Sequence, residues 1–244
     1  MKIGAQLYTV RDYTKNLKDF SETLKRVAEI GYEYVQVSGT CDYEPEWLKS
    51  QLEKTGLKCV LTHRPNDEII NDTDKMIENH NIIGCELIGI GFYDFEKNTV
   101  SKFYESFKAP ALKINQAEKK LMYHNHFNEF QKIDGKYLLD IIGEKLNSQE
   151  LGFTFDTYWA QAAGSDAVYW LRKLDGRVPV IHLKDMNYRG KMESVGEGNM
   201  DFAAILKTAS DSKTEFALVE NDWPEIDPFE SLRLSFKNIK ALGF

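Results

Sequence analysis

The sequence of 244 residues has few of the features that mark specialised protein classes. Its three cysteines, Cys41, Cys59 and Cys85, are odd in number, and no two are spaced as a metal knuckle or a redox pair. No run approaches the ~20 apolar residues that a membrane span needs. Residues 1–7 lack the apolar core and cleavage site of a signal peptide. We therefore expect reduced thiols, a cytoplasmic location and no membrane partner.

Basic residues are also few relative to acidic ones. Lys and Arg number 31 against 38 Asp and Glu, which gives a formal net charge of −7. Nucleic-acid binding requires clustered Lys and Arg, and the sequence has no basic stripe, so we expect no nucleic-acid partner. A composition of 42% hydrophobic and 28% charged residues is typical of a globular protein.

What the sequence does contain is an alternation of short apolar runs with longer amphipathic segments. Each short run is bounded by Gly, Pro or charged residues, as buried parallel strands are. Strands are predicted at 2–8, 34–38, 58–63, 85–91, 121–126, 151–156, 178–183 and 215–220. Helices are predicted at 17–28, 46–54, 72–81, 100–119, 137–144, 166–174, 202–209 and 229–241.

Eight strand–helix units in strict order predict an α/β fold, a (β/α)8 TIM barrel. The alternative, an open doubly wound sheet, usually carries a glycine fingerprint after an early strand. Gly89-Ile90-Gly91 is only a fragment of that pattern and lacks the third glycine. No repeat, low-complexity tract or linker divides the chain, so we expect residues 1–244 to form a single barrel domain.

Polar side chains are concentrated at the C-terminal ends of the predicted strands, where active sites of such barrels lie. Asp156, His182 and Glu220 belong to three successive strand ends. Two carboxylates and an imidazole, with a fourth oxygen ligand and open positions, suit Mn²⁺, Mg²⁺, Co²⁺ or Zn²⁺. The structural alternative for each is a helix cap, a loop ion pair or a hydrogen-bonded core histidine.

Six short stretches make the chain resemble the xylose isomerase-like family of sugar phosphate isomerases and epimerases over nearly its whole length. They are AQLYTVRD at 5–12, YHNH at 123–126, FDTYWA at 155–160, HLKDM at 182–186, GEG at 196–198 and VEND at 219–222. The resemblance implies a barrel that binds one divalent metal, with Mn²⁺ our first expectation, through Glu, Asp, His and Glu. The last three ligands correspond to Asp156, His182 and Glu220.

Two positions depart from the family pattern. Met122 stands where the ketose 3-epimerase branch has its first glutamate, and a thioether cannot bind a hard cation. We expect Glu129 to be the fourth ligand instead, with His124 or His126 as alternatives. Trp159 stands where many relatives have a histidine. The related apurinic endonucleases need a histidine-rich site for three metals, which five histidines in all do not supply.

Further side chains are candidates for contact with substrate: His63, His124, His126, Arg11 and Trp159. His63 ends the third predicted strand and resembles the family's substrate-facing histidine. Arg11 is expected either to bind a phosphate or carboxylate or to pair with a surface acid such as Asp12. The glycines at 196 and 198 predict a flexible loop near the mouth of the barrel.

The resemblance implies a divalent-metal-dependent isomerase or epimerase of a ketose or keto-sugar, phosphorylated or not. Glu220 or Glu129 would remove the proton next to the carbonyl, and its partner would return it. Lys184 shares a strand face with His182, so we expect it to contact substrate oxygen and not to share the metal. If a β-oxygen leaves, the same site is a dehydratase or lyase. The other class is a non-catalytic carbohydrate-binding barrel. A small-molecule sugar is the expected partner, and a homo-oligomer is left open.

Overall fold

The computed structural model describes all residues from Met1 to Phe244. Eight parallel strands close into a barrel in chain order, and the first strand pairs with the last. They are β1 (Lys2–Gln6), β2 (Tyr34–Val37), β3 (Lys58–Arg64), β4 (Leu87–Ile90), β5 (Lys120–His124), β6 (Leu151–Asp156), β7 (Val180–Leu183) and β8 (Phe216–Val219). The prediction of a (β/α)8 TIM barrel is confirmed.

A principal helix follows each strand. The helices are α1 (Leu17–Ile30), α2 (Pro45–Thr55), α3 (Thr73–Ile83), α4 (Val100–Gln116), α5 (Leu138–Lys145), α6 (Ala167–Lys173), α7 (Phe202–Asp211) and α8 (Pro228–Ala241). Side-chain caps fix several starts: Asn16 accepts a hydrogen bond from the N–H of Asp19 at α1, and Asp227 caps α8. None of the helices combines the length and the apolarity that crossing a membrane demands.

Short elements in the loops that follow the strands were not predicted. They are the 3₁₀-helices Leu7–Tyr13 and Asn128–Phe130, the helices Asn66–Asn71 and Thr157–Ala162, and two antiparallel ribbons, Lys132–Ile133 with Lys136–Tyr137 and Asp185–Met186 with Met192–Glu193. The first of these ends β1 two residues earlier than expected. Hydrophobic periodicity does not detect elements this short, because they complete too few repeats.

The apolar core has two parts. The larger contains 52 buried residues drawn from strands and helices. The smaller lies on β3, β5, β7 and β8 and consists of Val60, Leu61, Met122, Val180, Phe216 and Leu218. Met122 faces the same side of β5 as His124, so it belongs to the apolar layer beneath the polar end of the barrel. Gly152 on β6 makes room for it, because a Cβ there would lie 2.7 Å from Met122 Sδ.

Candidate active site

Four buried side chains converge at the C-terminal end of the barrel. His124 ends β5, Asp156 ends β6, His182 lies on β7 and Glu220 follows β8. One nitrogen or oxygen from each lies within 4.8 Å of the other three. Metal–ligand bonds of about 2.1 Å give a coordination shell at most about 4.2 Å across, so a contraction of roughly half an ångström would place all four around one cation. We call these four residues the cluster.

The hydrogen-bonding of His124 leaves a lone pair directed at a carboxylate. Its Nδ1 lies 3.1 Å from the carbonyl oxygen of Gly91, which can only accept, so Nδ1 carries the proton. Nε2 then faces Asp156 Oδ2 at 3.2 Å. Burial lowers the pKa of His124 and favours the neutral ring. Two acceptors therefore face each other, an arrangement that a cation between them would stabilise.

His182 is held in the same way from the opposite side. Its Nε2 lies 2.7 Å from Gln36 Oε1 and donates to it, which leaves the Nδ1 lone pair facing Glu220 Oε2 at 2.8 Å. Both atoms are buried, and the Lys184 ammonium is the other close neighbour of Glu220 Oε2, at 3.1 Å. Burial works to lower the pKa of His182, but Glu220 and Asp156 raise it above its usual value. The donor set of two imidazoles and two carboxylates fits a divalent cation.

Lys184 adds a fixed positive charge. Its Nζ lies 3.2 Å from Asp156 Oδ2, 3.1 Å from Glu220 Oε2 and 3.0 Å from both oxygens of Asp222. Burial opposes its ionisation, but the three carboxylates raise the pKa of Lys184 well above its usual range. The side chain faces into the barrel as predicted. Its ammonium also contacts two carboxylate oxygens of the cluster, so it lies closer to the expected metal-binding groups than the spacing along the strand suggested.

The buried charges do not cancel. With His182 in the neutral form that a metal ligand requires, Asp156, Glu220 and Lys184 together carry −1, and burial followed by the charge of Glu220 raises the pKa of Asp222 to about 7. Above neutral pH the ionised Asp222 makes the net charge −2, which a divalent cation would neutralise. Unpaired buried charge is costly, so this imbalance favours cation binding.

Asp156 is positioned by backbone contacts on two sides. Its Oδ1 accepts a hydrogen bond from the N–H of Trp159 at 2.9 Å and caps the helix Thr157–Ala162. The Asn125 side chain accepts a hydrogen bond from the N–H of Asp156 at 3.0 Å. Oδ2 is thereby directed into the cluster. The helix-cap interpretation of Asp156 is confirmed for Oδ1, and it does not exclude the metal-ligand interpretation, which involves Oδ2.

Glu129 lies outside the cluster. Its carboxylate accepts hydrogen bonds from the Tyr123 hydroxyl at 2.6 Å and from the N–H of His126 at 2.7 Å, and it is fully buried. Tyr123 packs edge-on against Phe103 of α4, on the outer face of β5. The structure therefore corrects the prediction that Glu129 is the fourth ligand and a proton carrier. His124, one of the alternatives, lies in the cluster instead.

Arg11 is engaged by backbone carbonyls. Its guanidinium donates to the carbonyl oxygens of Tyr8 and Asp222, both at 2.8 Å, and stacks over the Tyr8 ring at 4.3 Å. Asp12 pairs instead with Lys15 at 3.5 Å. Neither expectation for Arg11, anion binding or pairing with a surface acid, agrees with this arrangement. The Arg11 side chain instead joins the segment after β1 to the loop after β8.

The loop at residues 196–198 is held in place and does not line the cleft described below. Asp185 accepts hydrogen bonds from the backbone N–H groups of Gly196, Gly198 and Met200 at 2.9, 3.0 and 3.2 Å. A Cβ at Gly198 would collide with the Asp185 carboxylate. The absence of a side chain at Gly198 lets the backbone of this loop approach the Asp185 carboxylate closely. The loop is therefore held by hydrogen bonds, in contrast to the flexible loop that the sequence predicted.

The cluster opens into a cleft of about 600 Å³ lined by His63, His124, His126 and Trp159, four of the five predicted substrate contacts. The His63 ring lies 5.3 Å from His124 and 6.0 Å from His182. Burial and the neighbouring imidazoles lower the pKa of His63 well below its usual value and that of His126 to about 3, so both rings are neutral at pH 7. Nε2 of His63, Nδ1 of His126 and Nε1 of Trp159 are buried without partners, an arrangement that costs about 1–3 kcal/mol per group and persists mainly at functional sites.

Two residues of this site were not among the predicted ones. Gln36 orients His182, and Asp222 pairs with Lys184. The signal for Gln36 was a polar side chain inside the apolar run 34–38, since a buried polar residue needs a partner. Asp222 belongs to the VEND stretch at 219–222, but it lies beyond the end of β8. Strand alternation no longer predicts there which way a side chain points.

Comparison with known proteins gives one family match and several related structures. An inosose dehydratase from Clostridium perfringens (strain 13 / Type A) is 24% identical over 253 residues, covering 82% of this chain and 82% of that protein. A sugar phosphate isomerase/epimerase from Parabacteroides distasonis ATCC 8503 superposes with a TM-score of 0.86 at 21% identity, covering 98% and 93% of the two chains. An L-ribulose 3-epimerase superposes with a TM-score of 0.77 at 13% identity, covering 99% and 94%. Residues 24–241 match the model of one family, so the chain belongs to the xylose isomerase-like TIM barrel family.

Proposed function

We propose that the protein is a divalent-metal-dependent enzyme that moves a proton at the carbon next to the carbonyl of a keto-sugar. The observation that carries this proposal is the convergence of His124, Asp156, His182 and Glu220, one ligand atom from each within 4.8 Å of the others, in a negatively charged cluster at the bottom of a cleft. A divalent cation held there would polarise the substrate carbonyl, a contribution of several kcal/mol. Two imidazole ligands favour Mn²⁺, Co²⁺ or Zn²⁺ over Mg²⁺.

The chain's own residues divide the remaining work. Glu220 lines the cleft and is the carboxylate placed to accept the proton from carbon. The Lys184 ammonium lies 3.1 Å from Glu220, where it would stabilise negative charge on a substrate oxygen. His63 and His126, both neutral, are hydrogen-bond partners for hydroxyl groups.

Of the two reaction classes, the geometry favours dehydration or another elimination. Epimerisation through two carboxylates needs a second one across the substrate. Glu129 is hydrogen-bonded to Tyr123 and does not line the cleft, and Asp222, which does, contacts the same Lys184 ammonium as Glu220 and so lies beside it. In an elimination a single carboxylate suffices: Glu220 takes the proton from the α-carbon, the electron pair moves toward the carbonyl, and the β-carbon–oxygen bond breaks. Glu220 then passes the proton to the departing oxygen, and water is released. The similarity to an inosose dehydratase supports this choice.

Isomerisation or epimerisation is the second candidate. Lys184 lies beside Glu220 and faces the same cleft, so it could return the proton at a second position. The positions of Glu220 and Lys184 therefore support proton transfer under both candidates, and the products differ.

The experiment is incubation of the Mn²⁺-loaded protein with a panel of keto-sugars in heavy water, read by mass spectrometry. Elimination gives a product lighter by one water, whereas isomerisation or epimerisation keeps the formula and incorporates deuterium. Glu220→Gln should abolish either signal. Glu105→Gln is the matched control, because Glu105 is exposed on α4. Binding of sugars with neither signal would leave a carbohydrate-binding barrel and overturn the proposal.

A further inference from the structure

Four rings line one side of the cleft mouth: Phe92, His126, Trp159 and Trp223, which we call the aromatic arc. Neighbouring ring centroids are 5.5 Å apart for Phe92 and His126, 5.5 Å for His126 and Trp159, and 6.3 Å for Trp159 and Trp223. The rings follow β4, β5, β6 and β8 respectively, so the arc covers about half of the barrel rim.

The outer part of the aromatic arc is exposed. Phe92 is 50% exposed and Trp223 61%, while Phe127, 52% exposed, packs on Trp159 and extends the apolar surface. Single exposed apolar side chains are ordinary, but a contiguous apolar surface beside a cleft marks a binding site. The His126 ring centroid lies 4.6 Å from that of His124 in the cluster, so the arc runs continuously from the cluster to solvent.

The same cleft has no Lys or Arg side chain that is free to bind a phosphate. Its basic lining residues are Lys184, surrounded by three carboxylates, and Arg64. Arg64 donates from Nε and Nη2 to Glu68 Oε2 at 3.1 and 2.6 Å. Arg11 is engaged by backbone carbonyls. Phosphate recognition needs unengaged Arg or Lys side chains or free backbone donors, and a dianion here would also face the negative charge of the cluster.

We propose that the substrate is an unphosphorylated keto-sugar glycoside whose second ring stacks on the aromatic arc while its keto-sugar ring lies at the cluster. The keto-sugar half rests on the proposed function; the stacking of the second ring does not. Sugar rings and aryl rings both present flat apolar faces, which is the shared chemistry that exposed aromatic side chains bind. A cleft of about 600 Å³ is in the range that accepts ligands larger than one sugar ring.

The test is calorimetric titration of the Mn²⁺-loaded protein with four probes: methyl β-glucoside, phenyl β-glucoside, cellobiose and glucose 6-phosphate. We expect at least one two-ring probe to bind about tenfold tighter than the methyl glucoside, the gain that one or two ring contacts supply. A gain for phenyl glucoside alone identifies an aryl second ring, and a gain for cellobiose alone identifies a sugar. Glucose 6-phosphate should bind no tighter than the methyl glucoside.

Variants identify the side chains that cause the preference for two-ring probes. Phe92→Ala and Trp223→Ala should each reduce the two-ring preference to less than about threefold while the protein keeps its metal and its unfolding midpoint. Tyr188→Ala is the matched aromatic control, because Tyr188 is 79% exposed and lies outside the cleft. Equal affinity for one-ring and two-ring probes, tighter binding of the phosphate, or no binding of any probe would overturn the inference.

The two proposals fail separately. A two-ring preference that depends on the aromatic arc, without elimination or deuterium incorporation for any keto-sugar, would overturn the proposed function and leave the arc as a ligand site. Turnover of free keto-sugars without a two-ring preference would overturn the substrate inference alone.

Discussion

Each imidazole of the cluster is oriented by the nitrogen that faces away from it. The Gly91 carbonyl binds Nδ1 of His124, and the Gln36 amide oxygen binds Nε2 of His182. The two rings therefore offer different nitrogens to Asp156 Oδ2, Nε2 of His124 at 3.2 Å and Nδ1 of His182 at 3.7 Å. Partners of this kind tune metal affinity by about 10–100-fold in known metal sites, although they never touch the ion.

The fourth ligand can be tested by comparing three variants. His124→Ala should weaken Mn²⁺ binding at least about tenfold, because it removes a ligand and not merely an outer contact. Glu129→Gln should keep the metal and lower the free energy of unfolding by about 1–3 kcal/mol, since its carboxylate satisfies two buried donors. Metal content by elemental analysis and urea unfolding measure both effects, with His126→Ala as the histidine control. Retention of metal in His124→Ala with its loss in Glu129→Gln would reverse the assignment.

Lys184→Met tests the charge balance and the chemistry together. Without the ammonium, three carboxylates lie buried against one another, and breaking such a pair costs about 3–5 kcal/mol. We expect the metal-free variant to unfold at a lower temperature, Mn²⁺ to stabilise it more than the parent protein, and turnover to fall at least tenfold. Differential scanning calorimetry with Mn²⁺ and with chelator measures the first two effects. Equal stabilisation of both proteins by Mn²⁺ would contradict the charge argument.

The sequence predicts the direction of site side chains on strands better than that of site side chains in loops. Alternation placed Asp156 and His182 on the inner face correctly, because β geometry stays regular up to the last paired residue. Lys184, one residue past the end of β7, still points to the same side. Beyond the end of a strand, the direction of a side chain depends on the local turn and on the group with which it forms hydrogen bonds. Glu129 lies in the 3₁₀ turn Asn128–Phe130 and is captured by Tyr123, an interaction between two elements that no periodicity encodes.

Helix α3 is joined to β3 through a buried histidine whose ionisation should make stability depend on pH. His80 Nε2 lies 2.9 Å from Thr62 Oγ1, and Nδ1 lies 2.8 Å from the Met76 carbonyl oxygen. Burial lowers the pKa of His80 from 6.5 to about 4, with Lys119 and Arg64 as the nearby positive charges. Between these values the unfolded chain binds a proton that the folded chain does not, so stability falls as the pH falls below 6.5, by up to about 3 kcal/mol.

The measurement is urea unfolding at pH 7, 5.5 and 4.5 for the parent protein and for His80→Gln. The variant should lose less stability over this range, by about 2 kcal/mol, because its side chain does not titrate. Carboxylates shared by both proteins cancel in the difference. Identical pH profiles would contradict the role given to His80.

On the scale of the whole molecule, the cluster draws ligands from β5, β6, β7 and β8. A bound cation would therefore connect half of the barrel, and it would bind the folded chain in preference to the unfolded one. Mn²⁺ at a hundred times its dissociation constant should stabilise the protein by about 2.7 kcal/mol and raise the unfolding midpoint by a few degrees.

Thermal unfolding with Mn²⁺ and with chelator checks this expectation. Asp156→Asn should abolish the shift, whereas Asp12→Asn, at an exposed position near the N-terminus, should retain it. A parent protein with the same midpoint in both conditions would show that no cation binds the folded state.

The pairing of β1 with β8 has a consequence for biosynthesis. Residues 2–5 pair with residues 216–219, which are synthesised more than two hundred positions later. Until the ribosome has released those residues, β1 lacks one neighbour and the incomplete sheet has two open edges, which chaperones or other chains can engage. Glu220 emerges after β8, so the cluster is complete only when the last strand of the barrel has been synthesised. A nascent chain stalled before that point would carry most of the barrel and none of its proposed chemistry.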